Sequence, residues 1–174
     1  MNAPPPNVVY PAAPIIAIGS DWLDSLKLQA LAADNKRARI CLHQDHSSKV
    51  QQMLIVFHRS TFIGPHRQKH HFKSYTVMHG RLSVSFFDDI GQMTEHQLLG
   101  GIASRGQFLV RFPASRWHMA MPVTEWTVFL ETTEGPFTPA STEYAPWGPD
   151  YGNPSEVKAF LESIKITERK MRPE

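Results

Sequence analysis

A single cysteine in 174 residues excludes an internal disulfide and a thiolate zinc cluster, so any metal must rest on His, carboxylate or amide ligands. Long apolar runs are missing too: nothing approaches the roughly 18 residues of a membrane-spanning helix. The N-terminus lacks the basic and apolar stretches of a secretory signal, so the expected compartment is the cytoplasm, with no membrane partner. Nor is there an excess of one charge. Eighteen Lys and Arg against sixteen Asp and Glu leave +2, too little for a nucleic-acid surface, and the basic ITERKMR segment reads as a solvated helix end. Gly100 and Gly101 carry no phosphate-loop spacing, and Cys41 lies in an apolar strand with no nucleophile elbow anywhere in the chain. Those catalytic classes are set aside.

What is present is one domain's worth of apolar residues, nine histidines and five prolines between Pro4 and Pro14. Residues 1–19 read as a proline-rich extended arm, flexible or laid against a partner. From Ser20, Leu23, Leu26, Ala30 and Leu31 recur at helical spacing, with Ser20 expected as N-cap. Beyond them the period shortens to that of strands: RARICLH, VQQMLIVFH, YTVMHG, RLSVSFF, HQLLG, QFLVRF and WTVFLET, split by turn signals such as DDIG. Without intervening helices a parallel sheet is disfavoured, and the pattern predicts a mainly β sandwich or barrel over residues 20–150. Met53, Met78, Met119 and Met121 fall on strands and are expected in the core. Asn153, Pro154 and Glu156 then open a C-terminal helix within 151–174, with Val157, Phe160, Leu161 and Ile164 on one face.

The chemistry concentrates in GPHRQKHHFKSYTVMHGRL, from Gly64 to Leu82, and in FPASRWHMAMP further on. These two segments resemble the motifs of the cupins, whose first motif carries His-x-His, a glutamate and a closing glycine, and whose second ends in a histidine. His66 stands at the first histidine position, Gln68 at the second, Lys73 at the glutamate and Gly80 at the closing glycine. Pro113, Ser115 and His118 take the Pro, Gly and His positions of the second motif. The segments ARICLHQDHSSKVQQMLIVF, SYTVMHGRL, FFDDIGQMTE, RWHMAMP and TEYAPWGP extend the likeness to the WbuC-like cupins over about residues 20–150. The resemblance implies a double-stranded β-helix, or jelly-roll barrel, with an N-terminal and a C-terminal helix. It also implies a small-molecule pocket, often in polysaccharide-related pathways, and a metal site degenerate in this chain.

Read from the residues, His66 and Gln68 share one strand face and can meet a strand-borne His118 inside a barrel. Two histidines and an amide make a weak metal site, and a lysine where a carboxylate belongs repels a divalent ion by about 4 kcal/mol per unit charge product at 4 Å. His70 or His71 could fold back to rebuild a three-histidine site, so the expectation is either no cofactor or one divalent metal (Zn, Fe, Mn or Ni). His66, His118 and Lys73 are the candidate catalytic groups, for proton transfer and oxyanion stabilisation. Gln68, Tyr75, Arg39, His43 and Arg67 are candidate substrate contacts. The expected function is isomerase- or lyase-like chemistry by a homodimer, on a small polar molecule that the resemblance implies is a sugar or nucleotide sugar. A non-catalytic binding cupin and a metal-dependent enzyme with a rebuilt histidine site are the alternatives.

Overall fold

The computed structural model describes residues 7–68 and 72–171. In chain order its elements are β1 (Val8–Val9), α1 (Ser20–Ala32), β2 (Arg37–Cys41), β3 (Val50–His58), β4 (His66–Gln68), β5 (Phe72–His79) and β6 (Arg81–Phe87). There follow β7 (Met93–Gly100), β8 (Leu109–Pro113), β9 (Trp117–Pro122), β10 (Trp126–Glu134), β11 (Thr142–Tyr144) and α2 (Pro154–Met171).

The strands form two sheets, ordered β1-β2-β3-β10-β5-β8 and β11-β4-β9-β6-β7. Every pairing is antiparallel except that of β1 with β2. The sheets face each other across a core in which Ile55, Phe57, Val77 and Phe129 from the first meet Leu82, Val84, Phe86 and Ala120 from the second. This is the expected mainly β jelly roll with a helix from each end of the chain. Gly80 earns its place in the motif at the β5–β6 turn: its φ is +74°, and a β-carbon there would run into the Trp126 carbonyl.

The continuous apolar run Leu54–Phe57 follows from burial of β3 on both sides. Ile55 and Phe57 point into the barrel, while Leu54 and Val56 join Ala38 and Ile40 against Leu26 and Ala30 of α1. Ser20 is the first residue of α1 rather than its cap; Gly19 holds that position in extended backbone, without a side-chain cap bond. At α2 the expected start is present, with Asn153 Oδ1 accepting from the Ser155 amide at 3.1 Å and its Nδ2 donating to Glu156 Oε1 at 3.0 Å. Ile164, Phe160 and Leu161 of α2 pack against Phe87, Trp117, Met119 and Met121.

Two expectations change. Met78 is 63% exposed, because Lys73, Tyr75 and Val77 take the inward parity of β5 and leave Met78 facing out. The described part of the N-terminal arm lies on the chain's own barrel: β1 pairs Val8 with Arg39 and Val9 with Ile40.

Because Leu26 is fully buried between α1 and the barrel while Leu28 on the same helix is 70% exposed, the two leucines should respond differently to truncation. Leu26→Ala is expected to cost about 2–5 kcal/mol in urea unfolding, and Leu28→Ala less than about 0.5 kcal/mol.

Candidate functional site

The β4–β9 ladder builds the centre of the site. His66 pairs directly with His118, and their rings lie 4.4 Å apart, centre to centre. Both rings are oriented by backbone carbonyls: His66 Nδ1 is 3.0 Å from Gly64 O, and His118 Nδ1 is 2.8 Å from Arg116 O. A carbonyl can only accept, so each Nδ1 carries the proton and each Nε2 keeps a lone pair. His118 is 0% exposed and its Nε2 has no hydrogen-bond partner. A bare buried acceptor of this kind is uncommon and calls for a functional account.

On the opposite sheet, Lys73 of β5 reaches Glu131 of β10, Nζ to Oε1 at 3.4 Å, with side chains only 4% and 13% exposed. Lys73 is the group whose charge both imidazoles feel. Burial first, and Lys73 second, lowers the His66 pKa to about 3. Burial likewise pushes His118 well below the ordinary imidazole value, with His66 and Lys73 adding to the shift. Both rings are therefore neutral at physiological pH. Tyr75, inward on β5 two residues from Lys73, has its phenol pushed well above its ordinary pKa by burial and then by Glu131. Gln68 Nε2 donates to Thr142 Oγ1 of β11 at 3.2 Å.

These side chains border a cavity of about 360 Å³ whose wall includes His66, Gln68, Lys73, Tyr75 and Glu131, with Phe129, Ile55 and Phe57 as apolar floor. That volume falls in the usual range for small-molecule pockets. Arg39 and His43 also line it, nearer the arm. His43 has its pKa lowered, chiefly by burial, and its Nδ1 lies 3.0 Å from both the amide and the carbonyl of Gln52.

Arg67, one residue out of phase with His66 and Gln68, points away from the cavity. It forms a fork with Glu143, at 2.9 and 3.1 Å, and lies 4.1 Å above the Trp117 ring. His118 sits behind the cavity wall, reached through His66. His70 and His71 lie outside the described residues.

The sequence reading missed Glu131, Arg37 and Tyr10, all of which line the cavity. An acidic residue at the inward parity of WTVFLET was a readable signal for Glu131, and Arg37 shares the strand face of Arg39. Tyr10, in the proline-rich arm, has no local signal.

Two oriented imidazoles make half a metal site. Among the described residues no third His, Cys, Asp or Glu joins them in a group able to hold an ion. Lys73 brings positive charge to the position where such a site needs a carboxylate. The described residues do not by themselves make a site for a divalent metal.

A family profile described as a domain of unknown function (DUF6016) matches residues 18–99. No curated protein matches the chain in sequence. Among solved structures, protein SO0799 from Shewanella oneidensis is 12% identical, with 74% of this chain and 78% of that one covered at a TM-score of 0.50. A cupin superfamily protein (DSY2733) from Desulfitobacterium hafniense is 18% identical, covering 59% and 80% at 0.45. An HTH_3 family transcriptional regulator from Vibrio cholerae is 18% identical, covering 58% and 52% at 0.43. This chain thus spans about half the length of that regulator. At such identities the likeness concerns fold. By its sheet order and the pairing of β4 with β9, the fold is a jelly-roll barrel of the kind found in cupins. Among the described residues no helix is long and apolar enough to cross a membrane.

The depressed imidazoles make the barrel acid-sensitive. The unfolded chain binds these protons near pH 6.5, whereas folded His66 waits until about 3, so stability falls as pH drops through that window. The slope is at most about 1.4 kcal/mol per pH unit for each imidazole, softened at His66 because one ring edge borders the cavity. His118→Leu is expected to lose less melting temperature between pH 7 and pH 5 than the parent, read by differential scanning calorimetry.

The unfavourable metal set gives a second expected outcome. Protein purified without a histidine tag should carry well below one divalent ion per chain by elemental analysis, and added zinc should not raise its melting temperature. Stoichiometric metal that disappears in His66→Ala would instead require ligands beyond those described.

Proposed function

We propose that this chain is a metal-free small-molecule cupin that moves a proton on a polar, carbonyl-bearing ligand, in the manner of a sugar isomerase or lyase. The observation that carries this reading is a neutral, tautomer-fixed His66 on the wall of a cavity that also holds the buried Lys73–Glu131 ion pair.

In this chemistry His66 Nε2 takes a proton from the carbon beside the ligand's carbonyl. The electrons of that C–H bond pass into an enediolate, and Lys73, with the Gln68 amide, stabilises the oxygen where negative charge builds. Return of the proton from His66 to the former carbonyl carbon, with the hydroxyl proton of the adjacent oxygen passing to the former carbonyl oxygen, completes an isomerisation; departure of a β-substituent with the enediolate's electrons would complete a lyase step. In the empty cavity, with its pKa near 3, His66 is a weak base. Negative charge on a bound ligand raises its proton affinity toward the useful range, so basicity appears only when the cavity is filled. The sugar class follows from the resemblance to WbuC-like cupins, and the polar wall of Gln68, Thr133, Thr142 and Tyr75 suits hydroxyl groups.

Incubation of the protein with candidate aldoses and ketoses, neutral and acidic, in deuterated water tests this directly. Deuterium is expected at the carbon beside the carbonyl for the true ligand class, with a drop of at least about a hundredfold in His66→Ala. Ligands that bind without acquiring deuterium would overturn proton transfer and leave a non-catalytic binding cupin.

A further inference from the structure

The end of the cavity nearer the arm carries charge that the proton-transfer reading does not use. Arg37 and Arg39 lie two residues apart on β2, on one face of the strand, and both line the cavity. With Lys73 they make three cations on the wall, against one acidic side chain there, Glu131, which Lys73 already engages. Both arginine side chains are only partly exposed. No carboxylate pairs with either among the described residues, and Arg39 Nε is buried without a hydrogen-bond partner. Half-buried like charges with no carboxylate in contact, Glu131 acting on Arg37 only at longer range, oppose folding, whereas an arriving anion would satisfy both at once. Guanidinium forks also match the planar, two-oxygen geometry of carboxylates and phosphates in a way that an ammonium does not.

Placement within the sheet adds a length. Arg39 pairs with Ile55 on β3, and β3 pairs with β10, which carries Glu131. Ile55 in turn faces Phe129, two residues before Glu131, so Arg39 stands two strand spacings across and two residues along from Glu131, roughly 12 Å between backbones. One small molecule can reach both. Tyr10 of the arm lines the same end, edge-on to His43 with ring centres 5.7 Å apart and to His46 at 6.0 Å, so the arm completes the wall around the cations.

We infer that Arg37 and Arg39 form an anion subsite, and that the ligand of this cavity is a small polar molecule carrying a carboxylate or phosphate at one end and its reactive group at the other. This rests on the reading of the cavity as a ligand pocket and adds the charge of the ligand to it.

The test is thermal melting of the full chain with inorganic phosphate and, separately, with malonate, each against chloride at matched ionic strength. Saturable stabilisation of the parent in the millimolar range is expected, with the apparent Kd at least tenfold weaker in Arg37→Gln and in Arg39→Gln. A response to phosphate alone assigns a phosphate ester, to malonate alone a carboxylate, and to both a subsite that accepts either anion. Equal stabilisation of the parent and both arginine variants, or none of the parent, overturns the inference. Should Arg39→Gln fail to fold, Arg37→Gln alone decides. His66→Ala should keep the anion response, so failure of the proton-transfer reading and failure of the subsite give different results.

Discussion

Lys73 Nζ lies 3.4 Å from Glu131 Oε1 inside the barrel, and the character of the whole cavity follows from that contact. A cupin metal site needs negative charge where this chain carries an ammonium, and the ion pair leaves the cavity without a free carboxylate to offer a cation. The same ammonium, added to burial, holds two facing imidazoles neutral. A buried ion pair is weak support for stability, since desolvation of both partners offsets much of their attraction. The pair lies on the wall of the cavity, among the polar side chains of Gln68, Thr133 and Thr142.

The barrel holds the pair through ordinary sheet geometry. Lys73, Tyr75 and Val77 take the inward parity of β5, and Phe129, Glu131 and Thr133 take that of β10. Moving either strand by one residue would send Lys73 or Glu131 to the outer face and bring its outward-facing neighbours inside, so the apolar pattern that fixes register also fixes the chemistry. Phe57 and Tyr75 each meet Phe129 edge to face, at 4.9 and 5.4 Å between ring centres, and line the same cavity.

Much of this was legible from residue order alone. Strand alternation in VQQMLIVFH and RLSVSFF predicted the β architecture, and motif spacing pointed to His66, Gln68 and Lys73, which border one cavity from two facing sheets, whereas His118, expected in the pocket, pairs with His66 behind its wall. The sequence was silent where the site depends on partners distant along the chain. Arg67 looks like a pocket residue beside His66, but single-residue parity turns it outward, where Glu143 of β11 and the Trp117 ring hold it. Glu131 lies 58 residues beyond Lys73, so its role as counter-ion emerges only when β10 and β5 pair. Tyr10 reaches the cavity because β1 adds in parallel to β2, a pairing that a proline-rich segment does not announce.

The two ends of the cavity are coupled by charge. In the empty protein positive side chains outnumber negative ones on the wall, and that excess opposes a proton on His66. An anion seated against Arg37 and Arg39 cancels part of the excess and raises the proton affinity of His66 without moving any atom of the imidazole. A neutral analogue of equal shape would fill the same volume and leave His66 a weak base. Under the proposed reading, ligand charge bears on two steps with one cause, recognition at the arginines and basicity at the imidazole.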